Sequence, residues 1–429
     1  RSGAEEAYGL LSRCLSSSGH RLLAVSGGPD SLALLVFVGE NRERLGGRFS
    51  VATVDHGLRP EADAEARAVG RLAARYGLPH RTLRWRRGSR TGNLSAAARD
   101  GRYRLLAAAA RECGAQALVT AHHQDDQIET HLMALERGEG VQRLAGMRER
   151  RDIEPGLVLL RPFLGLPKAR LVASLRTRGL GWASDPTNSD PHYTRVRWRR
   201  HLAEASSAER HRLLRAIAEA AEARDAVDDA VARRLSEITV DARGLVAAPR
   251  ALVAAPDAGG IALFSRILSA AGGSARPASG SSVLRLAERL AGGEGGFVAT
   301  LGGCRLAAGR DDICVSREFG RVGPPTLDTA EGTCFDERFD LDPAEPRPDR
   351  IVALGALGRG GVLDAALPVA IDREGRPVAA HPAALRRLRE PVRALRLTER
   401  VSWRLARDLQ SAEPISQIAA KEPSQVGKD

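Results

Sequence analysis

The sequence predicts an α/β protein: a doubly wound parallel sheet over residues 1–205, a mostly helical domain over 206–295 and a small α+β C-terminal module over 296–429. Three observations carry this. Short apolar runs alternate with helix-period segments through the first 180 residues, the pattern of a parallel sheet covered on both faces. Polar motifs begin where three predicted strands end, at Ser26, Asp55 and Ala121, and such sheets bind ligands outside their C-terminal strand ends. Beyond Trp182 the alternation stops and long Ala/Glu/Arg/Leu stretches take over.

Taken in order, a short helix within 1–20 leads into a strand at 21–25. A glycine turn and an apolar helix follow, then a strand at 49–54 and a helix over 61–76. The third strand covers 80–85, and Asn93 stands where an N-cap belongs before a long Ala-rich helix to about 112. The fourth strand is 117–120 with a helix over 125–136, and the fifth is 157–160 with a helix over 168–178. A turn-rich connector, 185–192, precedes one long helix or a helical hairpin at 206–235. Short β-like pieces appear at 297–301, 313–316 and 351–357, and a polar tail from about 413 is expected to be disordered.

The 429 residues are 43% hydrophobic and 28% charged, which suits two or three globular domains. No apolar run nears the length of a membrane span, so a cytoplasmic protein without membrane attachment is expected. The first residues lack both the apolar core of a signal peptide and an initiator Met, as when the native N-terminus is trimmed or missing. Five cysteines form no Cys-x-x-Cys pair and fit reduced thiols. Net charge is +12 with pI near 10.4, which suits a polyanion such as nucleic acid or reflects an Arg-rich coding bias. Only three lysines occur: Lys168, Lys421 and Lys428.

The sharpest motif is Ser26-Gly27-Gly28-Pro29-Asp30-Ser31, lying between an apolar strand and an apolar helix. Its glycines let the backbone approach a ligand, and its N–H groups and helix dipole suit a phosphate. In Ala121-His122-His123-Gln124-Asp125-Asp126-Gln127-Ile128-Glu129-Thr130, a helix would put His122, Asp126 and Glu129 on one face. Three carboxylates and an imidazole suit magnesium and acid–base work, and zinc on His122, His123 and His131 is the competing reading. Asp55-His56-Gly57-Leu58-Arg59 is a polar strand exit, and Asn93-Leu-x4-Arg99-x2-Arg102-Tyr103 puts two arginines on one helical face.

Together these motifs resemble the PP-loop of the ATP pyrophosphatase superfamily and, more closely, the bacterial tRNA(Ile)-lysidine synthetase family. The likeness continues through Leu135-Glu-Arg-Gly138, Leu144-Ala-Gly-Met147, Arg161-Pro162 and Trp182-x-x-Asp185-Pro-x-Asn188, so it covers about the first 200 residues. One departure is Arg195-Val196, where the family often has Arg-Asn. The resemblance implies ligation of L-lysine to C2 of the wobble cytidine in an isoleucine tRNA with a CAU anticodon. ATP would first adenylate the C2 oxygen and release pyrophosphate; lysine would then expel AMP. It implies an ATP site at Ser26, Gly27, Gly28, Pro29, Asp30, Ser31, Asp55, His56 and Arg59, with Mg2+ on Asp30, Asp125 or Asp126. Catalytic candidates are Asp30, Asp125, Asp126, Glu129, His122 and Arg99, with Asp126, Glu129 or His122 open as the group that takes lysine's proton. Arg99 and Arg59 would stabilise the phosphoryl transition state.

Residues 161–205 carry nine Lys/Arg against three acids. Arg195, Arg197, Trp198, Arg199 and Arg200 form the expected RNA-binding run, joining phosphate contacts to a stacking surface. A cytidine 2-thiolating enzyme of the same superfamily is the nearest alternative, and the absence of Cys-x-x-Cys speaks against it. A non-catalytic tRNA-binding protein is the other, against which the intact acids speak. A homodimer is left open.

Overall fold

The computed structural model describes residues 3–15, 19–55, 57, 62–85, 94–182, 194–255, 257–273, 278–293, 296–320, 323–330 and 332–409. His56, Arg59, Asn93, the 185–192 connector and the tail from 413 lie outside the described residues. The chain forms two compact units, 1–224 and 225–429.

The first unit begins with α1 (Gly3–Cys14), β1 (His20–Ala24), α2 (Pro29–Leu45), β2 (Arg48–Asp55), α3 (Ala62–Arg75), β3 (His80–Arg84) and α4 (Leu94–Cys113). It continues with β4 (Ala117–Val119), α5 (Gln124–Glu136), a single turn α6 (Val141–Leu144), β5 (Arg150–Glu154), β6 (Leu157–Leu160), α7 (Lys168–Thr177), α8 (Thr194–Glu204) and the start of α9 (Ser207–Arg234). The sheet order is β3-β2-β1-β4-β6-β5, with the first five strands parallel. In register, Leu23 of β1 pairs with Val51 of β2 and Val119 of β4.

Adjacent strand residues serve opposite cores. Leu23, Val51 and Val119 join α1, α2, α3 and α7 on one face, while Leu22, Ala52 and Leu118 meet Leu106 and Ala110 of α4 on the other. Strands buried on both faces read as continuous apolar runs, which is why they were legible. Helix α2 is buried through residues 31–39, and a Cβ on Gly39 would lie 2.4 Å from the Tyr76 ring. No side chain larger than hydrogen fits there.

One strand was not expected. Arg-Arg-Asp-Ile-Glu of β5 pairs antiparallel with β6 at the sheet edge, where one side meets solvent and no apolar pattern is needed.

The second unit starts within α9, which is one helix rather than a hairpin. It contains β7 (Thr239–Val240), β8 (Val246–Pro249), α10 (Arg250–Ala254), α11 (Ala258–Ala271), α12 (Gly280–Ala291), β9 (Phe297–Leu301), β10 (Cys304–Ala308) and β11 (Asp312–Arg317). Its first sheet is β7-β8-β11-β10-β9, so it crosses the boundary expected at 295/296. The physical reason is a shared core: Val246 and Val315 pack with Phe264 and Ile267 of α11. Two further small sheets, of five and three strands, occupy residues 327–399.

Phe163, fully buried, meets Phe37 of α2 edge-on with ring centroids 5.9 Å apart. Phe163→Ala is expected to destabilise the first unit by about 3–5 kcal/mol. A lower urea midpoint at unchanged m-value would register that loss.

Candidate active site

The chain leaves β1, runs to β2 and β3 on one side, then crosses to β4 on the other, so the switch in strand order lies between β1 and β4. The turns after those two strands therefore leave the sheet side by side.

After β1, Gly27 turns with φ +90°, a conformation that other residues adopt only under strain. Gly28 is the N-cap of α2 and Pro29 opens the helix, where its missing N–H costs nothing. The Ser26 N–H donates to Ser31 Oγ at 3.1 Å, and Ser31 Oγ donates to the Gly28 carbonyl at 3.0 Å. Both serines thus brace the turn, leaving Asp30 on the first turn of α2.

After β4, the helix starts at Gln124 with His123 as N-cap. The His123 N–H donates to Asp126 Oδ2 at 3.1 Å and the Asp126 N–H to His123 Nδ1 at 3.3 Å, a capping box made of His and Asp. Because the helix starts there, His122 is outside it and does not share a face with Asp126 and Glu129. Its Nδ1 lies 2.8 Å from Thr120 Oγ1. The residue that reaches the phosphate-type turn is His123: its Nε2 is 3.5 Å from Asp30 Oδ2 and 3.4 Å from Asp126 Oδ2. A second cation meets the same oxygen, Lys168 Nζ of α7, at 3.5 Å. His123 and Lys168 were not among the sequence candidates for this role. The available signal was His-x-x-Asp at a helix start, which reads as a cap once the start is placed at Gln124, one residue before the expected 125.

Burial works to raise the Asp30 pKa, but the hydrogen bond and charge of His123 and the charge of Lys168 outweigh it and hold the carboxyl below its ordinary value. For His123, burial would lower the pKa, yet Asp30 and Asp126 raise it above 6.5. The Nδ1 cap needs a neutral ring, so cap and carboxylates compete, and the two nearby charges dominate.

The remaining acids of the motif face elsewhere. Glu129 is 1% exposed, with Arg199 Nε donating to Oε1 at 3.0 Å and Arg195 Nε 3.1 Å from Oε2 without hydrogen-bond alignment. Burial raises its pKa, against the opposing charges of Arg199 and Arg195. Arg197 and the Trp198 Nε1 donate to Glu136, and Arg210 Nη1 donates to Asp125 Oδ1 at 3.1 Å. Ile128, Leu132, Leu202 and Ile217 form a small core beneath these pairs. Four residues of the expected RNA-binding run, Arg195, Arg197, Trp198 and Arg199, are thus engaged with α5, and of the run Arg197 and Arg200 are exposed. A charge count along the sequence cannot see the counter-charges on another helix. The Gln127 side-chain amide ties α5 to Met147: its Nε2 donates to the Met147 carbonyl at 2.9 Å and its Oε1 accepts from the Met147 N–H at 2.6 Å.

Asp55 closes β2 and accepts from the Gly57 N–H at 2.8 Å. Arg99 lies on α4. Among the described residues no group of three or more His, Cys, Asp and Glu side chains is placed to hold a metal ion. Asp30 Oδ1, however, is buried with no hydrogen-bond partner among them. Magnesium takes one or two carboxylates and completes its coordination with phosphates and water. Asp30 and Asp126 fit that requirement, and Asp125, turned to Arg210, fits it less.

A family model described as a PP-loop domain matches residues 6–206. Over 319 residues the chain is 46% identical to the tRNA(Ile)-lysidine synthase of Methylobacterium nodulans, covering 70% of this chain and 91% of that protein. The chain belongs to the tRNA(Ile)-lysidine synthase family. The Ruegeria pomeroyi synthase is 36% identical over 361 residues, 83% of this chain and 85% of the relative. The Rhodopseudomonas palustris synthase is 56% identical over 181 residues, 42% of this chain and 52% of the relative, so that match spans about half of its length. The motifs by which this lysidine synthase relative was legible, 26–31 and 121–130, are the two turns that meet at the β1/β4 switch.

The titration directions set a pH window. The raised His123 pKa stabilises the fold below about 6.5, and that contribution is lost as pH rises through the folded value. The lowered Asp30 pKa stabilises it above about 3.8, and this is lost as pH falls through the folded value. The stability difference between wild type and His123→Gln should therefore be larger at pH 5.5 than at pH 8.5. Urea titrations at the two pH values test it.

Proposed function

We propose that this chain ligates L-lysine to C2 of the wobble cytidine of the CAU-anticodon isoleucine tRNA, driven by ATP. The observation that carries this reading is the phosphate-type turn 26–31 beside the His123–Asp126 cap, in a chain of the lysidine synthase family. The N–H groups of Gly27, Gly28 and Asp30 hold the ATP phosphates, with the helix dipole of α2 behind them. Magnesium, held by Asp30 and Asp126, supplies charge neutralisation at the phosphates. The C2 oxygen of cytidine takes the adenylyl group, pyrophosphate leaves, and the lysine amine then displaces AMP. That amine attacks only when neutral, so a carboxylate must take its proton. Asp126 is the residue read as doing so. Glu129, buried between Arg195 and Arg199, is read as holding α8 against α5. Arg99, Asp55, His56 and Arg59 keep their expected roles at the nucleotide.

The RNA partner follows from the substrate, and the enzyme is read as cytoplasmic. No helix among the described residues is long and apolar enough to cross a membrane. Sedimentation of the same preparation reads whether a homodimer forms.

Incubation with ATP, labelled lysine and the CAU-anticodon tRNA should place label in RNA, with lysidine identified by mass spectrometry of the nucleosides. Asp126→Ala should lower that rate by about 100-fold or more. Unlabelled RNA with wild-type protein contradicts the reading, and full activity in Asp126→Ala removes that residue from the mechanism. Binding of the tRNA should weaken steeply between 50 and 200 mM salt, by about a factor of ten or more.

A further inference from the structure

The turn 26–31 carries no lysine or arginine, although a phosphate-binding loop that handles a triphosphate commonly has one at hand. Lys168 comes to it from 138 residues further along the chain, at the first position of α7. Leu171 and Leu175, both buried, fix α7 in the same core as α2, and this sets where Lys168 can reach. Its Nζ is 3.5 Å from Asp30 Oδ2, longer than a formed charge-assisted hydrogen bond of about 2.8 Å. The Lys168 side chain is 40% exposed, so Asp30 holds the ammonium at the turn while leaving it open to solvent.

Composition adds an independent observation. Of 65 Lys and Arg residues only three are lysine, and Lys168 is the only one before residue 421. Wherever a cation alone suffices, this chain uses arginine. At this position it keeps a compact, three-donor point charge on a flexible stem, which suits tracking a phosphate that moves.

We propose that Lys168 is a side-chain cation of the phosphate site: it binds the β- and γ-phosphates of ATP and stays with pyrophosphate as it departs. This rests on the adenylation reading above. In that step the cytidine C2 oxygen forms a bond to the α-phosphorus. The bond from that phosphorus to the bridging oxygen breaks, and its electron pair leaves with pyrophosphate. Lys168 keeps its protons throughout and contributes charge only. Before nucleotide binds, Asp30 holds the ammonium at the turn.

The test compares full-length wild type with Lys168→Gln and Lys168→Arg, by calorimetric titration with AMP, inorganic pyrophosphate and the α,β-methylene analogue of ATP, all with Mg2+. Lys168→Gln should weaken pyrophosphate and the analogue by about tenfold and leave AMP unchanged. Lys168→Arg should recover only part of the loss. Equal weakening of AMP and the analogue would mean that Lys168 acts by holding Asp30, and would overturn the proposal. Unchanged analogue and pyrophosphate affinity in Lys168→Gln would overturn it too, while leaving the adenylation reading intact. A wild-type protein that binds neither analogue nor pyrophosphate would overturn both.

Discussion

Parallel pairing of β1 with β4 is the constraint on which the site depends. With β2 and β3 on one side of β1, the chain must cross over to place β4 on the other. Both turns then leave the sheet at the same end, and residues nearly 100 positions apart become neighbours. Leu23 beside Val119 sets the register, and three residues past each partner lie Ser26 and His122. No local propensity in either turn could bring Asp30 to His123. The two-faced core does so, by holding α2 and α7 on one side and α4 on the other.

That geometry divides the acids of one short motif between two jobs. Asp126 faces Asp30 through His123, while Glu129 and Asp125 hold α8 and α9 through Arg199, Arg195 and Arg210. Asp125 lies one residue before Asp126, and Glu129 one turn after it. The carboxylates nearest the phosphate-type turn are thus spared from the ion pairs that dock the following helices.

Much of the fold was legible because it is written in buried strands. The inner parallel strands announce themselves as apolar runs, the edge strand β3 (His-Arg-Thr-Leu-Arg) does not, and the motif positions follow from where the inner strands end. What was not legible depended on partners distant in sequence. The Arg195–Arg200 stretch reads as a basic stripe until Glu129 and Glu136 are placed against it. The helix starts after both His122 and His123, and only His123, as its N-cap, is placed to reach Asp126 and Asp30. Arg-rich composition misled in the same way. Arg338 is 2% exposed and paired with Asp336, and Glu345 gathers Arg393 and Arg396. Strand β5 escaped notice because four of its five residues are charged, which an edge strand tolerates.

The central claim is that the turn after β1 and the cap after β4 form one nucleotide site. A crystal structure with Mg2+ and the α,β-methylene analogue of ATP tests it most directly. The account predicts the phosphates against the N–H groups of Gly27, Gly28 and Asp30, with the Lys168 ammonium shifted from Asp30 onto a β- or γ-phosphate oxygen. An analogue seated elsewhere, with the turn 26–31 uncontacted, would contradict it.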